Sequence, residues 1–237
     1  MIISKALQAT ILEHAQAEDP RECCGLVAVV KGRKRYFPCT NLADTPDEHF
    51  VLSGEDYAAV EDQGEIVAIV HSHPSTNPNP SQADRVACAK SGLPWFIINP
   101  KTGGSSLTLP EAYELPYVGR EFVFGVVDCY TMCRDWYGKE FGLQLSDYNR
   151  RDKFWERGEN LYLDNFHREG FHKVPLDELQ YGDALLMQLG SSLPNHAAIY
   201  IGDQQILHHV QGRLSSRDVL GGYYIKSTAM VLRHESR

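Results

Sequence analysis

The stretch EIVAIVHSHPSTNPNPSQADRVACAK, residues 65–90, reads as strand, loop and helix in that order. Residues 65–73 are apolar on both faces, which predicts a central strand covered from two sides. Pro74 stops it, because proline brings no N–H to a ladder. Ser81-x-x-Asp84 then has the form of a helix capping box, and Gly92 closes the helix that follows. Residues two apart in a strand point the same way, so His71 and His73 project together from the strand's end. Two imidazoles at that spacing suit one small cation, and a catalytic zinc takes three N or O ligands. Asp84, folded back by the loop, is the natural third. Each piece alone has a plain reading: two hydrogen-bonded histidines, and a cap such as Ser53-x-x-Asp56 offers with no chemistry attached.

Around this stretch the first half alternates strand and helix signals. Residues 1–20 follow helical spacing through Leu7, Ile11, Leu12 and Ala15, closed by Pro20, and do not have the form of a secretory signal. GLVAVV (25–30) and KRYFPC (34–39) predict a hairpin about Lys31, Gly32 and Arg33. SGEDYAAVEDQG (53–64) predicts a capped helix and PWFIINP (94–100) a strand; the pattern breaks at KTGGSS (101–106), and 109–119 reads as a linker. The expected division is 1–110 and 111–237, two α+β domains of ordinary size.

The chain of 237 residues has 43% hydrophobic and 23% charged residues and a formal net charge of -8. RRDK at 150–153 is its densest basic run, with Glu156 and Glu159 behind it, so nucleic acid is not an expected partner. No segment has the roughly 18 apolar residues of a membrane span, so no membrane anchor is expected. Six cysteines without a C-x-x-C pair do not make a disulfide framework.

The second half offers a different chemistry. In FGVVDCYTMCRDWYG (124–138) a loop enters a helix; Asp128 caps it and Cys129 falls in its first turn. A helix N-terminus favours a thiolate, so a lowered thiol pKa is expected. A cysteine nucleophile needs a base, and the base an orienting partner. Strands predicted at HAAIYIG (196–202) and QQILHHV (204–210) offer His196 as base and His208 or His209 as partner. The choice is one of parity: an odd-length turn such as 202–204, or a bulge, puts His208 on the face of His196, and an even turn favours His209. His208 is the preferred reading. Residues 139–172 look mainly helical or irregular, 181–188 and 229–234 look like strands, and a helix-like piece is expected near 214–222.

Glu22 in PRECCGLVAV, HSHP at 71–74 and Ser81-x-x-Asp84 together resemble the signature of the JAMM (MPN-type) zinc metallopeptidases. The resemblance implies Zn²⁺ on His71, His73 and Asp84, Glu22 as general acid–base, and Ser81 as an oxyanion donor. The order D-C-Y, Y-G-D, H-A-A-I-Y-I-G and a further His twelve residues on is similar to the NlpC family of papain-like peptidoglycan endopeptidases. It implies Cys129 as nucleophile, His196 as base and His208 as orienting group, with Tyr181, Gly182 and Asp183 a structural turn. The fold class implied is α+β: an MPN/JAMM-like mixed sheet with flanking helices, then a papain-like NlpC-type domain.

The pairing of the two resembles the tail tip assembly proteins of lambda-like siphophages, through CCGLVAV, GEIVAIVHSHP, GVVDCYTMCRDWY and PNHAAIYIG. That implies work in the host cytoplasm during assembly, other phage tail tip proteins as partners, and peptidoglycan stem peptides as substrate. The alternative is an assembly scaffold with vestigial sites.

Overall fold

The computed structural model describes residues 3–237, which divide into two compact units between Glu114 and Leu115. In the first, helix α1 (Lys5–Glu18) is capped by Ser4 and followed by strands β1 (Cys24–Val30) and β2 (Arg33–Cys39). The turn between the strands has positive φ at Lys31 (49°) and Gly32 (75°), the hairpin geometry that matches strand twist. Then come α2 (Gly54–Glu61), β3 (Glu65–Ser72), α3 (Gln82–Ser91), β4 (Trp95–Ile98) and β5 (Ser105–Thr108).

The sheet order is β2-β1-β3-β4-β5, with β3 central and parallel to β4, and α3 as their crossover. Each sheet face carries its own core. Ile11 and Ala15 of α1 meet Val27, Ala68, Val70, Phe96 and Ile98 on one face. Val60 of α2 and Cys88 of α3 meet Leu26, Ala28, Ile69 and Trp95 on the other. Ile69 and His71 share parity, so His71 points to the side covered by α3. The break expected at 101–106 is shorter than read, because β5 begins at Ser105. This edge strand pairs Ser105–Thr108 with β4 although it offers few apolar residues, which is why its signal was weak.

The second unit opens with α4 (Cys129–Phe141), N-capped by Asp128 and ended by Gly142 with φ of 69°. After α5 (Leu161–Asn165) come β6 (Phe171–Val174), β7 (Ala184–Met187), β8 (His196–Tyr200), β9 (Gln205–His208), β10 (Ser216–Val219), α6 (Gly222–Ser227) and β11 (Thr228–His234). The sheet is antiparallel throughout, in the order β10-β9-β8-β7-β11-β6. Met132, Cys133, Trp136 and Tyr137 of α4 pack against Leu186, Ala197, Ile199 and Leu207, which seats the helix on the middle of the sheet.

The piece read as helix-like near 214–222 is in fact β10, with α6 starting only at Gly222. Ser216 and Asp218 alternate with exposed neighbours and pair with β9, so tertiary pairing of an edge strand overrode a short local signal. Tyr181, Gly182 and Asp183 do form a structural turn. Gly182 has φ of 82°, and the buried Asp183 takes a two-pronged contact from Arg233 at 2.9 and 2.8 Å.

Candidate functional sites

The end of β3, the residue just past it and the first turn of α3 bring His71, His73 and Asp84 together. The two histidine Nε2 atoms are 3.1 Å apart, and Asp84 lies 3.2 Å from His71 and 3.3 Å from His73 through its two oxygens. All three residues are buried, with ligand atoms mutually within 4.8 Å. Ser81 is the N-cap of α3: its hydroxyl accepts from the Asp84 N–H at 3.1 Å, and Asp84 Oδ2 accepts from the Ser81 N–H at 2.7 Å. This capping box holds the carboxylate in place before any ligand arrives.

Glu22 precedes β1, opposite the metal-type cluster. Cys24 pairs with His71 across β1 and β3, and continuing that register two residues further puts Glu22 opposite His73. Asn41 fixes the backbone there, donating to the carbonyls of Glu22 (3.0 Å) and His49 (3.1 Å) and accepting from Ala43 and Val51. Asn99 fixes the other side, donating to the carbonyls of His73 (2.9 Å) and Thr76 (2.7 Å). Phe50 stacks on the His71 ring at 4.6 Å, and Trp95 meets it edge-on at 5.3 Å. Asn41, Asn99, Phe50 and Trp95 were not read as site residues, since single Asn and aromatic residues carry no spacing signal.

The proton pattern suits a cation. His73 Nδ1 lies 2.9 Å from the Asn77 carbonyl, which only accepts, so Nδ1 carries a proton and Nε2 is the nitrogen that faces the cluster. His71 is fully buried, and its Nδ1 has no partner among the described groups. The two Nε2 atoms and the carboxylate thus share one buried space, an arrangement that one cation at their centre would fit. Burial pushes His71 below its ordinary pKa. Burial also depresses His73, but Asp84 and the Asn77 carbonyl outweigh it and leave it raised. Asp84 is buried too, yet the histidines hold it well below the usual carboxylate range. Glu22 is pushed up to about 8, chiefly by burial and further by Asp84.

The second site lies where α4 meets β8. Cys129 is the first residue of α4, and its sulfur is 3.3 Å from the Tyr162 hydroxyl. The Ala197 backbone N–H, one residue beyond His196, also acts on the sulfur. Asp128 accepts from the Thr131 N–H at 2.8 Å and from Arg150 at 2.8 Å, so a buried ion pair locks the start of the helix. From His196 a row runs along one face of the sheet. His196 Nε2 is 3.1 Å from His208 Nδ1, and His208 Nε2 is 3.1 Å from Asp218 Oδ2.

The parity question is answered by the turn after β8. Gly202, Asp203 and Gln204 have φ of 84°, 49° and 55°, a three-residue turn that pairs Ala198 with His208. His208 therefore shares a face with His196, and His209 points elsewhere, edge-on to Phe122 at 4.9 Å. Asp218 completes the row and was missed by sequence reading. It stands on β10, the strand misread as helix-like. Ser216 pairs with His208, and Asp218 lies two residues along on the same side. Arg213, Ser216 and Tyr224 also donate to it, and these contacts outweigh its partial burial and hold its pKa at about 2.

Asp218 orders the protons. Its carboxylate accepts from His208 Nε2–H, so His208 Nδ1 accepts from His196 Nε2–H, and His196 Nδ1 is left with a lone pair. The thiol differs from the sequence expectation. Burial, with Asp128 next to it, pushes Cys129 up to about 11 despite the helix N-terminus, and burial takes His196 down to about 3. The resting pair is a neutral thiol and a neutral imidazole, because desolvation exceeds the helix-end field.

Comparison with known proteins follows the same division. The family of prokaryotic homologues of the JAB domain matches residues 4–110, and the NlpC/P60 family matches residues 119–233. Tail tip assembly protein K of Escherichia phage N15 is 41% identical over 229 residues, covering 95% of this chain and 93% of that protein. The protein of the same name from Escherichia phage lambda is 43% identical over 185 residues, covering 78% and 90%. The CysO-cysteine peptidase of Mycobacterium bovis is 34% identical over 91 residues, covering 35% of this chain and 62% of that one. Among the described residues no helix is long and apolar enough to cross a membrane.

Proposed function

The chain belongs to the tail tip assembly protein K family of lambda-like phages, and from that premise we infer that it acts during tail tip assembly as a hydrolase of amide bonds with two separate sites. The observation that carries this reading is that each unit gathers polar side chains from separate elements into one buried cluster. A scaffold has no need of either cluster, and burying polar groups without use costs stability.

In the first unit His71, His73 and Asp84 would hold Zn²⁺, which supplies Lewis acidity to a peptide or isopeptide carbonyl. Glu22, held opposite His73 with a pKa of about 8, exchanges a proton near neutral pH and passes it to the leaving amine. The Ser81 hydroxyl hydrogen is free to donate to the oxyanion, because its oxygen already accepts from Asp84. The relative named as a CysO-cysteine peptidase supports a protein or peptide substrate for this unit.

In the second unit Cys129 is the nucleophile, His196 takes its proton, and His208 with Asp218 holds the His196 ring. The thiol gives up its proton as it attacks, since the pair rests neutral. The substrate class proposed is the peptidoglycan stem peptide, in keeping with the NlpC/P60 match. Other tail tip proteins are the proposed partners, and the host cytoplasm the place of assembly.

Complementation tests the reading. In cells infected by phage lacking this protein, the Cys129→Ala and His71→Ala chains are expected to restore far fewer infectious particles than the parent chain. Full restoration by both favours the scaffold alternative.

A further inference from the structure

The sulfur of Cys129 has a hydroxyl beside it that belongs to none of the motifs. Tyr162 lies in α5, within the excursion between α4 and β6, and its oxygen is 3.3 Å from Sγ. We propose that Tyr162 is a catalytic residue of the thiol site: its phenol donates to the Cys129 sulfur and then to the oxygen of the tetrahedral adduct. This deepens the proposed amide cleavage by Cys129 and rests on it.

Three observations carry the assignment. The phenol keeps its proton near neutrality, because burial and the neighbouring thiol push it well above its ordinary pKa, so it can donate to the sulfur once the thiol has given up its own proton. The excursion is tied to the nucleophile's helix, since Arg150 bonds Asp128 at 2.8 Å and the Thr131 hydroxyl at 3.1 Å. The Tyr162 ring also has both support and room. It packs on Tyr130 and Phe154 at 6.1 and 6.0 Å, and borders an apolar cavity of about 60 Å³ lined by Cys133, Phe166 and Ala197. A phenol so placed can shift from the sulfur towards the oxygen bonded to the same carbon without displacing packed atoms.

The step balances. As the S–C bond forms, the thiol proton moves to His196 and the carbonyl π pair becomes the oxyanion, to which Tyr162 donates while keeping its proton. The C=O bond then reforms, the C–N bond breaks, and the amine leaves with the proton from His196. Water, deprotonated by His196, hydrolyses the thioester and returns the thiol.

The test is Tyr162→Phe in the full chain, which keeps the ring and its packing. With muropeptides released from sacculi as substrate, kcat is expected to fall about 10²-fold with KM within about twofold, the signature of a lost oxyanion donor. Labelling of Cys129 by iodoacetamide at pH 8, read by mass spectrometry, is expected to slow about tenfold as the thiolate loses its donor. Tyr162→His, which keeps a ring N–H, should recover part of both. Unchanged kcat and labelling overturn the proposal, as does faster labelling, which marks a mere gate, or a parental Cys129 that takes no label. If the parent cleaves no muropeptide but Tyr162→Phe still slows labelling, the murein reading fails and the donor stands.

Discussion

In the first unit, His71, His73 and Asp84 face one another in a closed cluster with contacts of 3.1–3.3 Å. In the second, His196, His208 and Asp218 form a row in which every facing pair shares a hydrogen. The first has the form of a site for one ion; the second is a row whose hydrogen bonds satisfy one another. The difference comes from the ends of the rows. Asp84 sits between two histidines, whereas Asp218 sits beyond one histidine and passes a single proton order back along the sheet. Two sites of similar composition thus acquire different chemistry from where one carboxylate stands.

The largest effect expected separates them by metal. The purified chain should carry about one zinc, and Asp84→Ala less than a tenth of that by elemental analysis, because only two ligands remain. Chelation should leave the labelling rate of Cys129 unchanged. Loss of labelling on chelation would mean that the two sites are not independent.

Next is the end of the self-completing row. Asp218→Asn keeps the shape but offers His208 a group that can donate as well as accept, and the proton order of His196 is no longer set. About a hundredfold loss in kcat on muropeptides is expected, smaller than for a fully enclosed carboxylate because Asp218 keeps some solvent contact. Asp218→Ala should be no milder. An Asp218→Asn chain within threefold of the parent would show that His208 alone fixes the ring.

The contrast in legibility has the same physical origin. The ligands of the first unit lie within one strand–loop–helix stretch, where strand parity and a capping box fix geometry over fourteen residues or so. Only Glu22 is distant, and its place follows from the register of β1 on β3. The row of the second unit crosses three strands. His196 and His208 were legible because a single turn fixes their parity; Asp218 was not, since it needs the pairing of an edge strand whose short segment looked helical. Tyr162 and Arg150 come from an excursion with little regular structure, where no periodicity reports on position. The thiol's pKa was misjudged for a related reason: a helix N-terminus is visible in sequence, and the burial that outweighs it is not.

Titration should run in opposite directions in the two units. His196 and His209 are held neutral, with pKa values of about 3 and 4 against 6.5 when exposed. Between those limits the unfolded chain binds more protons, so stability is full above about pH 6.5 and falls as pH drops. At pH 5 the loss is roughly 2 kcal/mol per histidine. His209→Leu should flatten about half of this in thermal melts, because among the described residues its ring nitrogens have no partner in good hydrogen-bond geometry. Glu22, raised from 4.5 to about 8, has the reverse sign: it favours the fold below 4.5 and loses that benefit as pH rises through 8. In chelated protein, Glu22→Gln should therefore gain on the parent with rising pH. Parallel pH profiles for the two pairs would contradict the burial that sets both shifts.

The smallest effect isolates what the capping box adds to the metal-type cluster. Ser53 and Ser81 are both N-caps, accepting from Asp56 and Asp84 N–H groups at 3.3 and 3.1 Å. Either change to Ala should cost about 1 kcal/mol in denaturant unfolding, the usual worth of such a cap. Only at Ser81 does the N3 carboxylate also face the two histidines, so only Ser81→Ala should loosen Asp84 and weaken zinc retention against a competing chelator, by about tenfold. Ser53→Ala is then the control for helix stability alone. Equal zinc retention in the two variants would mean that the histidines, not the helix cap, hold Asp84 in place.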